Sequence, residues 1–115
     1  MKNAKKLLLL ILCISLCLSL ASCNKSSNID GDWYGDNRNL DHLVINEKNE
    51  RFSSEYLGFG EYYLNGNNIT FSNGFEVIEG VITSENGQTV IKCPEFGVTY
   101  YRAKEDAQAS REAKQ

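Results

Sequence analysis

"GEYYLNGNNITF", residues 60–71, reads as a β-hairpin. Aromatic and β-branched residues flank Asn65-Gly66, a dipeptide whose members both tolerate positive φ and therefore suit a tight two-strand turn. The stretch "GVITSENGQTVIKC", residues 80–93, repeats the plan with a loop one residue longer: a glycine, two apolar positions, Asn86-Gly87, then an alternating strand. "GDWYG", residues 31–35, opens in the same way, so that Trp33, Tyr62 and Ile82 all stand two places after a glycine. Each unit reads as one strand pair in a sheet repeated around an axis. Glycine at strand starts suits a sharply coiled sheet, because it eases bends and bulges.

The rest of the chain conforms. From Ile29 to Lys104 no stretch repeats apolar residues at three and four, while short β-branched or aromatic runs recur: "LVI" at 43–45, "FEVI" at 75–78 and "VTYY" at 98–101 among them. "INEKNERF" predicts a further hairpin with a loop of four or five residues. The predicted strands are 32–35, 42–47, 51–57, 60–65, 68–72, 75–83, 88–93 and 98–103. The fold class is therefore all-β, an antiparallel up-and-down meander of about eight strands forming a small filled barrel or a curled sheet. Eight strands are enough to close a barrel around side chains or around one small ligand.

The amino terminus is a targeting segment and is set apart from the fold. Lys2, Lys5 and Lys6 precede an apolar run from Leu7 to Leu20, followed by small Ala21 and Ser22. That run is shorter than the roughly 20 residues a bilayer-spanning helix needs, and no charged stop-transfer flank follows it. The expected organisation is a helical signal peptide at 1–22, a lipidated linker at 23–28, the β domain at 29–104 and a polar flexible tail at 105–115.

Leu20-Ala21-Ser22-Cys23 resembles the lipobox of bacterial lipoproteins. The resemblance implies acylation of the Cys23 sulfur, cleavage before that residue, and a lipid anchor on the exported side of a bacterial cell membrane or outer membrane. Cys13 and Cys17 belong to the apolar run, and Cys93 is left without a disulfide partner. In "TVIKCPEF" it reads as a small buried hydrophobe.

Three of the twelve Lys and Arg residues lie in the leader, so nine remain against fifteen Asp and Glu, and residues 23–115 carry about −6. Such a surface repels nucleic acid and anionic head groups, which leaves the lipid on Cys23 as the expected membrane partner. The linker "NKSSN" at 24–28 extends to about 17 Å at most, so the domain is expected to sit close to the membrane.

Gly31-x-Trp33, the up-and-down hairpins and Arg102 at the end of the last strand resemble the lipocalin-like lipoprotein domains of bacterial envelopes. The resemblance covers about 75 residues. It implies structural closure by Trp33 at one end of the barrel, with Arg102 packed over it as a cation-π pair. Ligand-enclosing lipocalins are longer. A domain this small has too few apolar side chains to line a cavity and also fill a core, so a shallow groove at one open end is the expected ligand site.

Catalytic chemistry finds little support. His42, the sole histidine, stands in "LDHLVI" with no nucleophile motif nearby and no second zinc ligand. Asp30, Asp32, Asp36 and Asp41 make "DGDWYGDNRNLD" acidic, but the loop lacks the internal glycine and terminal glutamate of a calcium-binding hand. Glu76 and Glu79 form a carboxylate pair without a cleft. No enzyme activity, cofactor or metal is expected, and the chain is expected to be monomeric. The tail "EDAQASREAKQ" lacks an apolar stripe and is too short for a stable isolated helix, so fraying is expected.

Strand neighbours face opposite sides, so one of Tyr62 and Tyr63, and one of Tyr100 and Tyr101, must point outward. Two functions fit. One is a non-catalytic binding module for a small apolar or glycan ligand at the barrel mouth. The other is an interaction or inhibitor protein presenting loops or an edge strand to an envelope partner. An open apolar cavity favours the first; a filled interior with an exposed tyrosine-bearing face favours the second.

Overall fold

The computed structural model describes residues 28–114; the expected signal peptide, Cys23 and all of the expected linker except Asn28 lie outside the described residues. Eight antiparallel strands close into a barrel: β1 Gly31–Gly35, β2 His42–Asn46, β3 Arg51–Ser54, β4 Gly58–Asn65, β5 Asn68–Ser72, β6 Val77–Glu85, β7 Gln88–Cys93 and β8 Val98–Tyr101. A single 3-10 turn, Pro94–Phe96, joins β7 to β8, and a helix α1, Lys104–Lys114, ends the described chain. Among the described residues no helix is long and apolar enough to cross a membrane.

Alternation along the strands builds the core. Trp33, Leu43, Ile45, Phe52, Tyr62, Ile69, Phe71, Ile78, Ile82, Ile91, Val98 and Tyr100 are buried and form one cluster inside the wall. Each large side chain so buried contributes about 1.5–3 kcal/mol. Phe52 and Phe71 meet edge to face with centroids 4.8 Å apart. The three residues placed two after a glycine, Trp33, Tyr62 and Ile82, all point inward. Tyr63 is exposed and Tyr101 half-buried, as the alternation requires.

Local chemistry trims the strands. β3 stops at Ser54 rather than running to residue 57, because the Ser54 hydroxyl accepts from the Tyr56 and Leu57 amides at 3.1 and 2.9 Å. β6 starts at Val77 rather than residue 75, because the Asn73 side-chain oxygen accepts from the Phe75 and Glu76 amides at 2.9 and 2.8 Å. The two Asn-Gly turns also differ. Asn86 and Gly87 both take positive φ, 54° and 78°, as a tight hairpin turn requires. Asn65 instead remains paired with Asn68, and the turn residues are Gly66 and Asn67. Sliding one strand by two residues returns the same side chains to the interior, so alternation does not distinguish these registers.

The flexible tail expected at 105–115 is corrected by the structure: residues 104–114 form α1, packed against β1 and β8. Ala107 is fully buried, and Ser110, Arg111 and Lys114 bond to the barrel. Spacings of three and four residues place these groups on one helical face. The face is small and polar rather than apolar, so the helix owes its stability to docking and not to its own length.

Curvature is extreme at Gly60. A Cβ there would lie 1.9 Å from the Ser72 carbonyl oxygen, so the wall of the barrel can pass only over a residue without a side chain. Gly60→Ala is expected to cost about 1–3 kcal/mol in urea unfolding followed through Trp33 fluorescence. An unchanged midpoint would show that the neighbouring backbone yields freely.

Candidate functional site

An up-and-down barrel has two ends. One carries the amino-terminal segment 28–30 and the turns 47–50, 66–67 and 86–87; the other carries the loops 36–41, 55–57, 73–76 and 94–97.

At the amino-terminal end, Ile29 is buried as a stopper. The Trp33 indole donates to the Ile29 carbonyl at 2.8 Å, and the Ile29 amide donates to Glu47 Oε1 at 2.6 Å. The Arg102 guanidinium lies 4.0 Å from the Trp33 ring centroid. It also donates to the carbonyls of Asp30 at 2.7 Å and Asn28 at 3.3 Å. The Trp33 and Arg102 named from sequence are thus together, and they also clamp the incoming chain.

Beside this closure a groove of about 420 Å³ is lined by Glu47, Glu50, Tyr62, Tyr63 and Leu64. Burial, with Glu47, Glu50 and Asp30 nearby, pushes the Tyr62 phenol up to about 12. Tyr63 donates to Glu61 at 2.9 Å, a bond that raises its pKa and favours the neutral phenol.

At the opposite end, buried Asp41 accepts hydrogen bonds from the Ser54 hydroxyl, from the Tyr100 hydroxyl at 2.8 Å and from the Tyr56 amide at 3.1 Å. Burial and the adjacent carboxylate drive Tyr100 ionisation upward, so it remains a neutral donor. Ser and Tyr here satisfy a buried carboxylate and leave no accessible nucleophile. Asp36 accepts from the Thr99 amide at 2.8 Å, Ser110 at 2.7 Å and Lys114 Nζ at 2.8 Å. Burial alone would raise its carboxyl, but the bonds from Lys114, Ser110 and Thr99 outweigh it and hold the group below the ordinary 3.8.

The acidic stretch read from sequence therefore does not converge. Asp30 and Asp32 are exposed at the start of β1, whereas Asp36 and Asp41 are buried beyond its far end, and among the described residues no cluster suited to a metal occurs. His42 is exposed on β2, 2.9 Å from Asp32 and stacked on Tyr34. Glu79 pairs in register with Thr70 on the outer wall, and Glu76 lies in a loop. Sequence reasoning missed the bonding of Asp36 to α1; its signal was the small and polar series Ala103, Ala107, Ser110, Lys114.

Exposed aromatic residues gather at the loop end. Phe75 is 98% exposed, Phe59 77%, Val77 58% and Tyr56 48%. Tyr56 meets Phe96 edge-on with centroids 5.9 Å apart, and the Asn73 side chain donates to the Leu57 carbonyl at 2.9 Å, tying two loops together. The loops carry Glu55-Tyr56, Phe75-Glu76 and Glu95-Phe96, each an aromatic beside a carboxylate.

Asp36→Asn is expected to destabilise the barrel at pH 7, with the gap to wild type closing as pH falls below about 3.8 through the lower folded value. The sign follows because a depressed carboxyl stabilises only while ionised; urea midpoints at pH 7 and 3 check it. Burial raises the Cys93 thiol to about 12, so alkylation of native protein at pH 8 is expected to be negligible and to become rapid in denaturant. Mass measurement of the iodoacetamide adduct reads it. No known protein family, curated protein or solved structure matches this chain.

Proposed function

We propose that this chain is a non-catalytic bacterial lipoprotein that holds a partner protein on the loop end of its filled barrel. The observation that carries the proposal is the exposure of Phe75, Phe59 and Tyr56 on a domain whose interior is occupied by its own side chains. Exposed apolar groups gathered at one end and rimmed by polar residues mark interaction surfaces, and aromatic residues are enriched where interfaces concentrate their binding energy.

The lipobox-like leader supports the address. A lipid on Cys23 and a short linker hold the amino-terminal end toward a membrane, and the loops then face away from it. The carboxylates of Glu55, Glu76 and Glu95 complement a partner with a basic contact face, steering its approach and weakening with salt.

The test places a photo-crosslinking phenylalanine analogue at position 75 in living cells. A discrete protein adduct is expected from position 75 and not from position 92 on the outer wall. Tyr56→Ser combined with Phe59→Ser is expected to reduce the adduct about tenfold, a loss of about 1.4 kcal/mol, while leaving the urea midpoint unchanged. Absence of an adduct from position 75, or an equal one from position 92, would overturn the proposal. An unmodified amino terminus on the exported chain would remove the tether.

A further inference from the structure

Three Asn-Gly dipeptides occur in the chain, at 65–66, 73–74 and 86–87. Asparagine is a thermolabile residue. Before glycine its side-chain carbon stands open to the next backbone nitrogen, because glycine carries no Cβ to block the approach. As sequence the three are equivalent, but their local structures differ.

Asn73 is half-buried, and both polar atoms of its side chain are engaged. Its Oδ1 accepts from the Phe75 and Glu76 amides at 2.9 and 2.8 Å, and its Nδ2 donates to the Leu57 carbonyl at 2.9 Å. Asn65 is exposed but belongs to β4, where it forms with Asn68 the pair that closes the β4–β5 hairpin. The closing pair of a two-residue hairpin shares ladder hydrogen bonds, so the Asn65 carbonyl is held. Asn86 differs from both. It is exposed, lies outside the closing pair Glu85 and Gln88, and is itself a central turn residue with φ 54°. Beyond the adjoining residues, no atom lies within 4 Å of the place a Gly87 Cβ would take.

We propose that Asn86 is a site of spontaneous covalent modification, cyclising onto the Gly87 nitrogen to a succinimide that water opens to aspartate or isoaspartate. The deprotonated Gly87 amide nitrogen attacks Cγ of Asn86. The N–Cγ bond forms, the Cγ–Nδ2 bond breaks, and ammonia leaves carrying the proton that the amide gave up. Water then adds to one imide carbonyl. Addition at Cγ breaks the new bond and gives aspartate; addition at the main-chain carbonyl breaks the original peptide bond and gives isoaspartate. Nothing is oxidised or reduced.

The turn accommodates the ring. The imide fixes ψ of residue 86 and leaves its φ free. Rotating the single peptide plane between residues 86 and 87 exchanges a I′ turn for a II′ turn; both close two-residue hairpins and both keep positive φ at the first central residue. Asn86 already holds that φ, and glycine at 87 takes either sign. At Asn65 the same rotation would pull a carbonyl out of the ladder, and at Asn73 attack requires the side chain to leave three hydrogen bonds. The product places a new carboxylate on the β6–β7 turn, at the amino-terminal end of the barrel.

The test is incubation of the full exported chain in detergent at mildly alkaline pH, then digestion after glutamate and tandem mass spectrometry, which separates residues 86–95 from 62–76. Asn86 is expected to convert to a mixture of aspartate and isoaspartate, at a rate that rises with pH as the Gly87 amide deprotonates. Asn65 is expected to convert more slowly, and Asn73 about tenfold more slowly, the order that follows when hydrogen bonds must break before attack. In denaturant the three rates are expected to converge. Asn86 preserved in the native chain while the denatured chain reacts, equal or faster native conversion at Asn65 or Asn73, or aspartate as the sole product would overturn the proposal.

Discussion

The structure depends on closing the seam between the first strand and the last. Only Tyr34 and Gly35 of β1 pair in register with Tyr101 and Tyr100 of β8, whereas the hairpin-joined neighbours have three to five such pairs. The seam also joins residues about 65 apart in sequence, so its ordering is not helped by a short loop. Side chains compensate at both ends. Asp36 bonds to Thr99 through its backbone amide and its carboxylate, continuing the ladder where the strands run out. Arg102 holds the carbonyls of residues 28 and 30 at the other end. Helix α1 lies over β1 and β8 and contributes Ser110 and Lys114 to Asp36.

Closure explains the division of labour between the ends. The amino-terminal end is shut by Ile29, Trp33 and Arg102, which occupy the place a ligand would take in a larger barrel. Polar bonding around Asp41 ties the β1–β2 loop to Ser54, Tyr56 and Tyr100 and makes a rigid base for the neighbouring loops. Rigid loops present aromatic side chains at little cost in ordering, which is a condition for a useful contact surface. The filled interior follows from small size, since a domain of this length has little room to enclose a cavity and also pack a core.

The candidate sites were unequally legible. Trp33 and Arg102 were expected together from a resemblance rather than from a local pattern, and closure of the sheet brings them together. The Asp36 contacts are not readable as a motif, since their members lie up to 78 positions apart and only one of them, Lys114, is charged opposite to Asp36. The groove at Tyr62 was legible in part: glycine spacing places the ring inside, but nothing local reveals that Glu47 and Glu50 line the groove beside it.

Periodicity of two, glycine at strand starts and Asn-Gly turns determined an all-strand meander, the inward set and the approximate strand count, because these are properties of neighbouring residues. The ends of β3 and β6 and the order of α1 were decided only in the tertiary structure. Each of these turns on side-chain groups: hydroxyl and amide side chains that capture strand amides, and a short helix that becomes stable when a buried carboxylate receives its polar face.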